Sequence, residues 1–337
     1  MGKFLFVVVV AAVISWYFLK DQKGGAASDK PAVQDKAKTE QVQPAAAKPE
    51  KKLPPAEDAV FNPAPGSLAE QLVILSKTPE GQQLNQSQNL NFLNKRVVAN
   101  SKQNRDFFKA NEKFLQKCRE LAGCSTLGVK ITGNPNQLMP YVSEFTKVCN
   151  YLCFAAEHQI NSGKKKSGCA DLECAVKLLN TFSAEVPNLI HFFTAVRCNA
   201  RIAKLVASVK IPGAQKKALS AKLAGRKQLA NMLKLALDGE NTQVLYLRKW
   251  ADALPELMKH PEPELFNFAK QLQKIPEDKL LGMLEAYNSR LVKAFEENTF
   301  DQVGEFNLGT EEENKLIHAN QYKYLLIGIS KISKAQK

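Results

Sequence analysis

The chain lacks the short motifs that mark the common enzyme chemistries. No H-E-x-x-H, G-x-S-x-G or P-loop pattern occurs, and the four histidines, His158, His191, His260 and His318, are scattered. Zinc-protease, serine-hydrolase and P-loop nucleotide sites therefore have no signature here. His191 and Cys198 fall seven apart on an expected helix, about 10 Å along its axis, too far for direct proton transfer. Glu157-His158 reads as a polar helix face. Glu262 with Glu264, and Glu311 to Glu313, read as helix-start charges. The expectation is no catalytic residue, no metal and no cofactor. An envelope enzyme with a site assembled from distant residues stands as the alternative.

A second absence is sustained apolar–polar alternation, which excludes a sheet as the main architecture. Only Gly128 to Asn136 leaves room for one short strand within a loop. A third is negative charge between Glu185 and Asp238. No acidic residue lies there, while Arg197, Arg201, Lys204, Lys210, Lys216, Lys217, Lys222, Arg226, Lys227 and Lys234 do. In a chain of formal charge +14, that segment is a candidate surface for anionic partners: phospholipid headgroups, phosphate-bearing wall polymers or an acidic protein. The plainer reading is a pair of solvated helix faces that balance acidic helices downstream. Nucleic acid fits poorly, because residues 194–245 contain no aromatic side chain on which bases could stack.

The fourth absence is cysteine outside one window. Cys118, Cys124, Cys149, Cys153, Cys169, Cys174 and Cys198 are all seven of the chain's cysteines. Disulfides are the expectation, with Cys153 across from Cys174, Cys118 and Cys124 straddling a helix end, and Cys149 meeting Cys169 or Cys198. A zinc site from Cys149, Cys153, Cys169 and Cys174, and free thiols acting as small buried hydrophobes, are the alternatives.

At the N-terminus, Phe4 to Leu19 reads FLFVVVVAAVISWYFL, sixteen residues without charge. At ~1.5 Å per residue the run covers about 24 Å, a short membrane span if flanking lysines snorkel. Trp16, Tyr17 and Phe18 would sit at headgroup level. Residues 1–20 are thus expected as a transmembrane anchor, with a cleaved signal peptide as the alternative. Lys20, Lys23, Lys30, Lys36 and Lys38 follow the run and only Lys3 precedes it, which by the positive-inside rule places the body in the cytoplasm. Disulfides argue the other way. The expectation is a single-pass inner-membrane protein with its body on the extracytoplasmic side.

Residues 21–66 are rich in Ala, Pro, Lys, Gln and Glu, too poor in large apolar groups to offset ordering entropy, and are expected as a disordered, semi-extended tether. From 67 to 337 the pattern is helical, in one array or two subdomains. Ser67-Leu68-Ala69-Glu70 is a capping box, and Pro79 closes or restarts the first segment. A helical face then runs to Gly123, and another from Val142 to Ile160 ends at Asn161-Ser162-Gly163. Lys164 to Gly168 reads as a basic turn of a hairpin. Further helices are expected over about 187–209, 213–237, 241–259, 262–273, 277–299 and 311–333.

CADLECAVKLLN, VPNLIHFFTAVRCNARI and LKLALDGENTQ together resemble a group of uncharacterised bacterial membrane-anchored helical proteins with tetratricopeptide-like hairpins. The resemblance covers roughly 137–245, and this chain departs from it in being rich in Cys and Lys. It implies an all-α array of antiparallel hairpins behind an N-terminal span, and no activity. The expected function is a membrane-anchored scaffold or binding module, held through residues 4–19 and meeting a protein or an anionic envelope component.

Overall fold

A computed structural model of the chain describes residues 61–84, 102–130, 132–134, 137, 139–254, 263–297 and 299. All fall in the second of two compact units, which spans Lys52–Lys337. The expected anchor, most of the tether and the 311–333 helix lie outside the described residues. Among those described the protein is all-helical, with no strand. No helix there is long and apolar enough to cross a membrane.

Eleven helices are described: α1 (Leu68–Lys77), α2 (Pro79–Leu84), α3 (Lys102–Ala110), α4 (Glu112–Leu121), α5 (Pro140–Asn161), α6 (Lys165–Ala184), α7 (Leu189–Ser208), α8 (Gly213–Ala221), α9 (Arg226–Lys249), α10 (Pro263–Lys274) and α11 (Glu277–Glu297). Helix α1 begins at the expected cap, Ser67 Oγ accepting from the Glu70 N–H. The reciprocal bond comes one residue early, since Glu70 accepts from the N–H of Gly66 at 2.6 Å. Residues 61–66, expected in the tether, already lie against the body. Phe61 stacks on Tyr141 with ring centroids 5.4 Å apart, and the Ala64 N–H donates to the Gly128 carbonyl.

The centre is α5, α6 and α7. Helix α5 stops where the Lys164 N–H donates to the Gln159 carbonyl and that of Gly163 to Ile160. This closing turn needs a left-handed residue, and Gly163 supplies it at φ +85°. The chain reverses within three residues and α6 returns along α5 in the most extensive pairing among the described helices. Phe145 of α5 and Phe182 of α6 stack at 3.9 Å between centroids. Helix α7 reverses again and covers both. Helix α1 packs on α5, α8 on α6 and α7, and α9 on α7 and α11.

A main core runs from Leu68 through α9 to Phe295. A smaller one joins Val244 and Leu247 to Phe268, Leu272 and Leu284.

Four boundaries differ from the sequence pattern, the first being the helix expected over 213–237, which is divided at residues 222–225 between α8 and α9. The helical face before Gly123 is broken at Asn111, whose side chain donates to the Phe107 carbonyl while its own carbonyl accepts from Tyr151. Residues 165–168, expected as a turn, are the first turn of α6. Helix α9 runs unbroken through Gly239, where a break was expected. A Cβ at Gly239 would stand 1.7 Å from the Pro187 carbonyl oxygen. The glycine makes room for the α6–α7 connection instead of ending a helix.

Candidate functional site

Chain reversal places the C-terminus of α5, the N-terminus of α6 and the C-terminus of α7 at one end of the central helices. Helix α8 closes on that end: Gln215 accepts from the Cys169 thiol at 3.2 Å, and Lys216 Nζ donates to the Ala207 carbonyl at 2.8 Å. Lys164, Lys165 and Lys166 therefore join Lys204, Lys210, Lys216 and Lys217 at a common pole. The turn from Lys222 to Lys227 is pinned farther along α7 by Asn199, which exchanges two bonds of 3.1 Å with the backbone of Ala224.

Arg197, Lys204, Lys210, Lys217, Lys222 and Lys227 are exposed, while Arg201, Lys216 and Arg226 are partly covered. Arg201 donates to Asn150 Oδ1. Among the described residues none of the nine is in an ion pair, although Lys234 at the edge pairs with Asp238. Glu157 shares a cavity of about 50 Å³ with Arg201 and Lys204. The contribution of Lys164 to Lys166 was visible as a basic turn, but its meeting with the end of α7 follows only from helix order.

The cysteines are placed otherwise than expected. All seven are free thiols, so the pairings of Cys153 with Cys174, of Cys118 with Cys124, and of Cys149 with Cys169 or Cys198 are not made. Cys149 and Cys198 do come together, as thiols, whereas Cys153 and Cys174 are kept apart by the faces they present. Cys149 and Cys153, one turn apart on α5, look toward α7, and the Cys149 thiol meets both Cys153 and Cys198. Cys174 instead lies beside Arg119 and Asp171, near Cys118. Cys169 is engaged by Gln215. Burial drives the Cys118 thiol well above its ordinary value, and the neighbouring Cys153 and Cys198 thiols, with burial added, do the same for Cys149. Neither is a ready thiolate.

Without reductant, seven thiols should titrate in denaturant. In the native protein the half-exposed Cys124 and Cys174 should react first. Fewer than seven in denaturant would restore cross-links. Among the described residues no three His, Cys, Asp or Glu side chains are placed to hold a metal ion. The four cysteines weighed for zinc are divided between separate surroundings.

Four buried or partly buried acidic and histidine side chains are tied into the fold. Asp171, fully buried, accepts from Arg119 Nε at 2.6 Å and Nη2 at 3.2 Å, and from Gln159 at 2.9 Å. Burial raises its carboxyl more than Arg119 and Gln159 lower it. Glu185 clamps the loop before α5, accepting from the N–H groups of Leu127 and Gly128 at 3.2 and 3.0 Å. Glu240 accepts from Leu189 N–H at the start of α7, beside Gly239.

His191, also fully buried, bonds Tyr141 Oη through Nε2 and Asn188 Oδ1 through Nδ1. The amide oxygen can only accept, so Nδ1 carries the proton and Nε2 accepts from the tyrosine. Burial pushes His191 down to about 3 and Tyr141 far upward. A tyrosine–histidine pair with those values, closed from solvent, holds helices together and offers no proton to a substrate. An open groove of about 690 Å³ between α2 and the α3–α4 junction is lined by Glu80, Lys109, Glu112, Lys113 and Arg119. Its charges are of both signs.

No protein-family model, curated protein or solved structure matches the chain.

Proposed function

We propose that this chain is a membrane-tethered, non-enzymatic helical module that presents one surface to an anionic partner. The observation that carries the reading is the pole of unpaired cations, assembled from three helix ends that the fold itself brings together. The buried histidine, tyrosine and carboxylates support it from the other side, since each is consumed by an internal bond. Residues 4–19 supply the membrane attachment and the segment after them the reach. Antiparallel pairs of the α5–α6 kind, repeated along the body, form the array that carries the surface.

The extracytoplasmic placement rested on disulfides, and free cysteines remove that support. The lysines after the apolar run then favour the cytoplasmic face. Deleting residues 4–19 should move the protein from the alkali-resistant membrane fraction to the soluble one. Retention in the alkali-resistant fraction after deletion would overturn the anchor. A membrane-impermeant thiol reagent applied to intact cells should leave Cys124 and Cys174 unlabelled until the cells are opened. Immediate labelling would put the body outside.

A further inference from the structure

The charge of the pole is more uneven than a solvated surface needs. From Val186 to Leu237 the chain carries ten cations and no carboxylate, seven of the ten being lysine. We infer that this pole, centred on Lys204, Lys210, Lys216 and Lys217 with Lys164 to Lys166 beside them, docks on the anionic phospholipid headgroups of the membrane to which the chain is tethered. The inference rests on the anchor reading above, because an N-terminal span keeps the body at high effective concentration beside that surface.

Four observations select headgroups over other anions. Lysine is a compact, hydrated point charge suited to a diffuse charged plane, whereas a defined phosphate pocket favours the arginine fork. The cavity beside Arg201 and Lys204 also admits the Glu157 side chain, which repels a seated phosphate. Bases would find no ring to stack on between residues 194 and 245. Among the described residues the exposed large apolar side chains are Ile74, Ile190 and Leu235, none among the cations of the pole, so the contact is electrostatic and reversible by salt. Glu157 lines the cavity beside Arg201 and Lys204, and Glu173 on α6 lies near Cys169. Asp171 is occupied by Arg119.

The test uses the full chain reconstituted into neutral phosphatidylcholine vesicles or vesicles with about 30 % phosphatidylglycerol, followed by lysine acylation read residue by residue by mass spectrometry. In anionic vesicles at about 0.05 M salt, labelling of Lys204, Lys210, Lys216 and Lys217 should fall about five-fold, while the exposed Lys109, Lys249 and Lys293 are unchanged. Raising salt to about 0.5 M should restore the labelling. Equal labelling in both vesicles, or protection spread over all lysines, would overturn the docking face while leaving the anchor intact. Equal protection by a soluble polyanion in neutral vesicles would overturn the lipid assignment. A chain released by alkaline wash from both vesicle types would overturn the anchor and this inference with it.

Discussion

Gly239→Ala should lower stability by about 3 kcal/mol and the Tm by roughly 10 °C, an unusually large effect for one methyl group. The added Cβ would stand 1.7 Å from the Pro187 carbonyl oxygen and 2.7 Å from its carbon, well inside van der Waals contact. Neither partner is a side chain that could rotate aside. Relief requires α9 to shift or the α6–α7 connection to lift, and either movement strains the bond from Leu189 N–H to Glu240 Oε1, 3.0 Å long.

Gly282→Ala is the internal comparison. That position is also inside a helix, is exposed, and has nothing within 4 Å of a built Cβ. The same substitution there should stabilise by about 0.5–1 kcal/mol, through helix propensity and a less free unfolded chain. Paired thermal melts read both signs. A neutral Gly239→Ala would mean that the connection does not rest on α9.

The second large effect is acid destabilisation through His191. Its folded value, about 3, lies below its ordinary value of 6.5, so the unfolded chain takes up the proton first. The stability tied to neutral His191 is complete above pH 6.5 and falls as pH drops toward 3, by about 1.4 kcal/mol per pH unit over that interval. Asp171 and Glu240, whose carboxyls burial raises, act in the opposite sense, gaining a proton in the folded state first. The His191 contribution is therefore read by difference.

Urea midpoints of the native protein between pH 7 and pH 5 should fall steeply. In the double variant Y141F/H191F, which removes both ends of the buried bond and keeps ring packing on Phe182, that fall should flatten whatever the stability at pH 7. An unchanged slope would place the acid sensitivity elsewhere.

Local signals made much of the fold legible in the sequence. Ser67, Gly163 and the three-and-four spacing of Val142, Phe145, Cys149 and Leu152 each report on neighbours within a turn or two, and each sits where the spacing put it. The misread positions answer to distant residues. Gly239 carries the same local message as any helix-ending glycine, and only the Pro187 carbonyl, far away in the chain, makes it a helix interior. Asn111 interrupts a run of good helix spacing where its side chain bonds the Phe107 carbonyl and its own carbonyl is shared between Leu115 and the distant Tyr151.

The expected meeting of Cys153 with Cys174 failed for a related reason. Spacing says that Cys149 and Cys153 share a face, but not whether that face meets α6 or α7. The cationic surface lay between these cases, its arginines and lysines countable in sequence. Its position at one pole, with Lys164 to Lys166 added, needed the order in which α5, α6 and α7 stack.

The strap of residues 187–189 across Gly239 and Glu240 also bears on synthesis at the ribosome. The N–H of Leu189 finds its acceptor 51 residues later, so α5 and α6 can pair while the segment leading into α7 still waits for its seat. At about 5–20 residues per second the delay is roughly 3 to 10 s. Through that interval the nascent chain shows chaperones and proteases an unfastened link between two formed helices, and α9 fastens it when it emerges.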